Sequence, residues 1–227
     1  MKCYVGPGGK KDFLTSPSGV PVIVDVLRAC STIVAAMSRG AAEVIPVEEL
    51  DDAMARGRGL GATLIGERGG RRVEGFEHGN SPTEMLRLPL EGRTIVISTS
   101  NGTRIMVAGG IIASTLNAGA VAARIAGVPH AYLLASGAPA RSGEDLCAAQ
   151  LIEQIAGLIG HGTTVATAVS EAIASPDGRR LLDCIRNSES GKKLSAYGFS
   201  DDVEMICTQI NQFPIVPLYN NGIIKPG

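Results

Sequence analysis

Tryptophan is absent, and aromatic residues make up only 4% of the 227 positions. So few rings leave no stacking platform for nucleic-acid bases. An excess of one charge is missing too. The 21 Lys and Arg against 22 Asp and Glu give a formal net charge of −1, so no global field favours nucleic acid or an anionic membrane. No apolar run approaches the roughly 20 residues of a membrane span. The N-terminal MKCYVGPGGKKDF has no apolar core of signal-peptide type. The five cysteines (Cys3, Cys30, Cys147, Cys184 and Cys207) are odd in number and form no CxxC pair. Neither a disulfide framework nor a structural zinc site is expected. These absences predict a cytoplasmic protein whose cysteines are mostly small core residues in a reducing compartment.

Familiar catalytic signatures are lacking as well. There is no GxxxxGK[ST] loop, and GERGG lacks the spacing of a GxGxxG dinucleotide turn. No GxSxG elbow occurs. Asp25 is not followed two residues later by a second Asp, and Cys30 does not open an arginine-closed phosphatase loop.

What is present is 44% hydrophobic residues, 19% charged residues and 29 glycines. That composition suits a globular fold with many strand-to-helix turns rather than a helical bundle. PVIVDV predicts a strand, and STIVAAMSRG a helix with Ser31 as N-cap and Gly40 as its stop. EVIPV is a strand that Pro46 places at an edge or a strand end, EELDDAMARG is helical, and ATLIGE is a strand. A long glycine-rich loop follows and ends in a capping box at Ser81, Pro82, Thr83 and Glu84. TIVIS, IIAST and HAYLLASG read as strands, TRIMVAGG as helical, and NAGAVAARIAG as a helix capped by Asn117. EDLCAAQLIEQIAGLIG, TTVATAVSEAIAS and GRRLLDCIRN read as helices; DVEMICTQ reads as a strand and IVPLYNNGIIKP as extended. The expected fold is α/β, a mainly parallel sheet with helices on both faces. It forms a single domain over 1–227, or two tightly packed lobes with a boundary near 90–140.

Parallel sheets bind ligands beyond the carboxyl ends of their strands, and four polar clusters here follow apolar strands. They are Asp25 with Arg28, Glu67 with Arg68, the turn Thr99-Ser100-Asn101-Gly102-Thr103, and Glu144 with Asp145. If the strands are parallel, all four meet at one edge. Carboxylates are hard ligands of the kind Mg²⁺ prefers. Arginines offer forked donors to phosphate, carboxylate or sulfonate, and a small-residue turn entering a helix presents free N–H groups to an anion. The set describes a pocket for a metal-bound, highly anionic small molecule, and phosphoryl chemistry is the natural reading. Structural readings stand beside it. Asp25 can cap its own turn; Glu144 and Asp145 can offset a helix dipole, with Ser142 and Asp145 as a capping box. Arg71 and Arg72 read as solvated loop charges, and His78 as a local hydrogen-bonding residue.

VDVLRACST, GERGG, GFEHGNSP, TSNGT and EDLCA, in this order, resemble the 2-phosphosulfolactate phosphatases, as do GFSDDVEMIC and the IVP that follows. The resemblance spans about residues 22 to 217. It departs from the family pattern at Ser100, where Thr is usual, at Glu77, where Asp is usual, and at Cys30, where Thr or Ser is usual. It implies a Mg²⁺-dependent phosphomonoesterase with a family-specific α/β fold, which hydrolyses 2-phospho-3-sulfolactate to sulfolactate and phosphate in coenzyme M biosynthesis. On that basis Asp25, Glu67 and Asp145 hold or orient Mg²⁺, with Glu144 as a further ligand; Asp25 as a nucleophile is the competing role. Arg28 and Arg68 bind substrate anions. Ser31, Thr32, Asn80, Ser81, Thr99, Ser100, Asn101, Gly102 and Thr103 complete the substrate site. The partners expected are a small phosphorylated anion and, through Gly/Ala-rich helices, a second copy in a homodimer. The rival readings are a phosphatase for another phosphorylated 2-hydroxy acid and a non-catalytic anion-binding homologue.

Overall fold

The computed structural model describes residues 2–15, 19–137 and 143–227. Its centre is the apolar run Val20–Val24 (β2). On one side of β2 lie Ala131–Ala135 (β8) and then Lys2–Val5 (β1); on the other lies Gly110–Ala113 (β7), and all four strands are parallel. A second parallel group consists of Glu43–Pro46 (β3), Thr94–Ser98 (β6) and Thr63–Arg68 (β4). The two-residue strand Arg71–Arg72 (β5) pairs antiparallel on the β4 edge. The C-terminal hairpin Pro217–Asn220 (β9) and Ile223–Pro226 (β10) lies between the groups, antiparallel to β7 on one side and to β3 on the other. The ten-stranded order is therefore β1-β8-β2-β7-β9-β10-β3-β6-β4-β5.

This topology corrects the expectation of one shared edge. Through two intervening antiparallel strands the second parallel group runs opposite to the first, so the strand ends meet only because the sheet curls. Side-chain alternation records the curl. Ile23, Ile112 and Leu134 from the first group share a core with Val44, Ile65, Ile95 and Ile97 from the second and Ile224 from the hairpin. Ala29–Ser38 (α2) fills this inner core, and eight of its residues are buried with Ala29. The alternate residues face outward. Val22, Val24, Ile111 and Leu133 pack on Ala118–Ile125 (α5), Gly143–Gly160 (α6), Val165–Ala174 (α7) and Pro176–Asn187 (α8). Ile45, Leu64 and Val96 pack on Leu50–Leu60 (α3).

Several local expectations change. Gly6–Leu14 (α1) and β1 were not foreseen; α1 starts with Pro7 in its first turn. Ser31 lies inside α2 rather than at its N-cap, which is Arg28. TRIMVAGG supplies only a 3₁₀ turn, Gly102–Ile105. The Ser81 side chain does cap Pro82–Met85 (α4), but Glu84 bonds His78 and Gly79 instead of closing the box. Asn117 caps through the turn Thr115–Asn117, in a box with Ser114. DVEMICTQ is not a strand but the helix Ser200–Thr208 (α10), which follows Glu189–Ala196 (α9). Val203, Met205 and Cys207 alternate, yet Val203, Ile206 and Cys207 also recur at helical spacing. The helix sits between two cores: Met205 joins the inner one and Val203, Ile206 and Cys207 the outer. Cys147 and Cys184 form a disulfide between α6 and α8, against the expectation of reduced cysteines. Cys30 and Cys207 are buried and free. The Cys3 side chain and Ser142, with its proposed capping box, lie outside the described residues. Among the described residues no helix is long and apolar enough to cross a membrane.

Candidate active site

β2 ends at Val24, and the chain turns sharply into α2. Asp25 accepts the Ala29 N–H at Oδ1 (3.1 Å) and the Cys30 N–H at its carbonyl (2.9 Å). The capping reading is therefore true of one carboxylate oxygen. The other faces Gly102, where an added Cβ would stand 2.6 Å from Oδ2 and 2.5 Å from the Ala29 Cβ. Only glycine lets the turn after β6 approach this closely.

Asp25 opens onto a cleft of about 220 Å³, shared with Arg28, Glu67, Asn80, Ser100 and Asn101 from the predicted set. Glu67, at the end of β4, is fixed by three donors: Ser100 N–H to Oε1 (2.7 Å), and Gly70 N–H (2.6 Å) and Ser100 Oγ (3.2 Å) to Oε2. Arg28 is 3% exposed. It donates to Asp202 Oδ2 (2.8 Å) and the Gly70 carbonyl (3.0 Å), and its guanidinium lies 4.1 Å over the Phe199 ring. The Asn80 amide oxygen is buried and has no hydrogen-bond partner among the described residues.

The remaining predicted residues stand behind this surface rather than on it. Asp145 accepts Val26 N–H (2.8 Å), Ser136 N–H (3.0 Å) and Ser136 Oγ (2.9 Å), and so ties α6 to the ends of β2 and β8. Glu144 accepts from Ser190 Oγ at 2.5 Å. The Arg68 guanidinium is occupied by the carbonyls of Glu67 and Glu48 and by Ser98 Oγ. Ser31 donates to the Val26 carbonyl and contacts Ser114 Oγ. Thr99 and Thr103 bond one another within their turn. Ser81 donates to Asp202. Thr32 Oγ1 is buried without a partner among the described residues.

Sequence reasoning missed Asp202, Ser190, Lys193 and Leu194. The last three line the cleft from α9, a helix whose surface composition carries no local signal. Asp202, in the first turn of α10, takes Arg28 at Oδ2 and Ser81 Oγ, Thr83 N–H and Thr83 Oγ1 at Oδ1. Its trace in the sequence is the segment GFSDDVEMIC, which bears the resemblance, while DVEMICTQ, which starts at Asp202, fits a strand pattern.

The four predicted carboxylates act on one another. Burial, and then the charges of Glu67 and Glu144, push Asp25 up to about 6 against the Ala29 and Ser136 hydrogen bonds. Burial and the charge of Asp25 hold Asp145 well above the carboxylate range. Burial also raises the Cys30 thiol, which keeps it protonated and inert. Among the described residues no three His, Cys, Asp or Glu side chains form a metal-holding group. The hard oxygens of residues lining the cleft include the carboxylates of Asp25 and Glu67 and the unpartnered Asn80 amide. That set fits Mg²⁺, which takes one or two carboxylates and completes its shell with water and substrate phosphate.

The profile of the 2-phosphosulpholactate phosphatase family matches residues 10–222. A 2-phosphosulfolactate phosphatase of Methanothermobacter thermautotrophicus is 37% identical over 214 residues, covering 92% of this chain and 90% of that protein. A probable 2-phosphosulfolactate phosphatase of Thermotoga petrophila is 36% identical over 209 residues, 89% of each chain. One from Symbiobacterium thermophilum is 35% identical over 216 residues, 89% of this chain and 92% of that one.

Proposed function

The chain belongs to the 2-phosphosulfolactate phosphatase family, and from that premise we propose that it hydrolyses 2-phospho-3-sulfolactate to 3-sulfolactate and phosphate with the help of Mg²⁺. The observation that carries this reading is the facing of two buried carboxylates, Asp25 and Glu67, across a small cleft that also holds a locked guanidinium. Mutually repelling buried acids call for a cation or a proton to offset them.

Asp25, Glu67 and the Asn80 amide oxygen would hold the ion, which supplies charge neutralisation at the phosphate oxygens and a more acidic bound water. Arg28 binds a phosphoryl oxygen. Its position is fixed before substrate arrives, so little side-chain entropy is lost on binding. Glu67 orients the Ser100 and Gly70 backbone, which shapes the anion-facing wall. Asp145 and Glu144 are positioning groups: Asp145 holds the turns after β2 and β8, and Glu144 holds α9 through Ser190. A cytoplasmic location and a place in coenzyme M synthesis belong to the same reading and rest on the resemblance; the Cys147–Cys184 disulfide is the feature that pulls against the location.

The test is phosphate release from 2-phospho-3-sulfolactate with Mg²⁺ and with EDTA. Wild type is expected to turn over only with the metal, and Asp25→Asn to lose about 10²–10³-fold in kcat while keeping its circular dichroism, the loss typical of removing a transition-state electrostatic group. Metal-independent turnover, or a fully active Asp25→Asn, would refute the assignment.

A further inference from the structure

Gly70 turns the chain from β4 into β5 with φ +91°. Its Cα faces Tyr197, so that an added Cβ would lie 3.4 Å from the ring. Two cations rest on that ring. Arg71 brings its guanidinium carbon to 4.7 Å from the ring centroid, and Lys193 brings Nζ to 5.7 Å. They come from different elements, β5 and α9: Lys193 lines the cleft, and Arg71 directly follows Gly70, which lines it too. Neither has a carboxylate partner among the described residues.

This pair differs from the cation on the cleft floor. Arg28 is held by Asp202, the Gly70 carbonyl and the Phe199 ring, contacts that use two of its five N–H groups and leave the others as fixed donors. Among the described residues, what holds Arg71 and Lys193 is the face of an aromatic ring, which attracts cations without consuming their N–H donors. Two like charges drawn to one ring repel each other, and an anion between or beside them removes that repulsion. The rim is thus a built receiver for a second anionic group of whatever occupies the floor.

Resting on the phosphatase reading above, we propose that Lys193 and Arg71, placed by Tyr197, select substrates that carry a strong anion on C3 of a phosphorylated 2-hydroxy acid, and that this anion is the sulfonate. With the phosphate on the floor, the sulfonate oxygens reach furthest from the ester oxygen, because sulfur adds a bond that the carboxylate lacks. A sulfonate spreads its charge over three oxygens and stays ionised at all working pH values. It matches two loosely oriented cations better than one bidentate fork, which suits a planar carboxylate.

The experiment compares kcat/KM for 2-phospho-3-sulfolactate and for 2-phospholactate, which lacks the sulfonate. The proteins are wild type, Lys193→Ala, Arg71→Ala, Tyr197→Leu and Tyr197→Phe. Wild type is expected to prefer the sulfonate substrate. In Lys193→Ala and Arg71→Ala that preference falls at least tenfold, through KM rather than kcat. Tyr197→Leu falls with them, and Tyr197→Phe, which keeps the ring, falls less. Equal losses on both substrates, or no loss on either, would overturn the proposal. Calorimetry with 3-sulfolactate and with lactate keeps the two readings apart. If wild type releases no phosphate, the phosphatase reading fails. The rim then stands if sulfolactate binds wild type at least tenfold tighter than Lys193→Ala, and falls if it binds both alike or binds neither.

Discussion

Asp25 has an ordinary carboxyl pKa of 3.8 in the unfolded chain and one of about 6 in the fold, because burial and the charges of Glu67 and Glu144 disfavour its ionised form. Between these values the unfolded chain gives up its proton first, so rising pH draws the equilibrium toward unfolding. The group's contribution is whole below about pH 4 and is lost as pH rises through about 6, a span worth on the order of 3 kcal/mol at most. Asp25→Asn removes the charge and keeps an oxygen for the Ala29 N–H. In metal-free buffer at pH 7.5 it is expected to melt several degrees above wild type, and to lose the wild-type decline between pH 4 and 6. Mg²⁺ should raise the wild-type Tm, since it binds only the folded cleft, and leave Asp25→Asn where it was. Thermal unfolding by circular dichroism at four pH values, with and without Mg²⁺, measures all three. A variant less stable than wild type at every pH would mean that the carboxylate holds the turn more than it strains it.

At the scale of elements, the site depends on α10, the segment whose period was misread. Strand and helix templates both fit Val203, Met205, Ile206 and Cys207, and only a helix lying between two cores settles the choice. With that misreading went Asp202, whose two oxygens hold Arg28 from α2 and Ser81 and Thr83 from α4. What was legible in the sequence was local. The run VIVD, the TSNGT turn and the Ser81 cap each carry their signal within a few residues. The Arg28–Asp202 pair spans 174 residues, and no pattern in a single chain encodes such a contact. The same holds for the Cys147–Cys184 bond and for the place of Lys193 at the cleft. Removing one partner of a buried ion pair costs about 3–5 kcal/mol because the other charge remains. Asp202→Ala is therefore expected to lower the unfolding free energy, measured by urea titration, by that much. Asp202→Asn keeps acceptors for Ser81 and Thr83 and should lose less stability, but it releases Arg28 and raises KM for the phosphorylated substrate about tenfold. If Asp202→Asn lost stability without any change in KM, Arg28 would not be binding phosphate.

At the scale of the molecule, the question is how strand ends that run in opposite directions come to face one cleft. Asp25 leaves β2 and Glu67 leaves β4, six steps apart in the sheet order. At about 20–25° per step, the ordinary twist accumulates to roughly 120–150°, which offsets most of the reversal and brings both ends to one side. The hairpin β9–β10 sets this arrangement, since it alone pairs with both β7 and β3. It also contributes Ile224, fully buried in the inner core with residues of both groups. The parallel groups each carry half of the carboxylate pair, so the hairpin is a condition of the site although it supplies no residue to it. Deleting residues 217–227 is expected to leave helical circular dichroism, while abolishing the cooperative urea transition and Mg²⁺ protection together, as when secondary structure outlives specific packing. Ile224→Ala is the milder version, expected to cost about 2–5 kcal/mol for a large-to-small core change with turnover retained below its midpoint. A deletion variant that still melts cooperatively and still gains stability from Mg²⁺ would show that α2 alone can align the two halves, and that the inner core rather than the strap sets the curl.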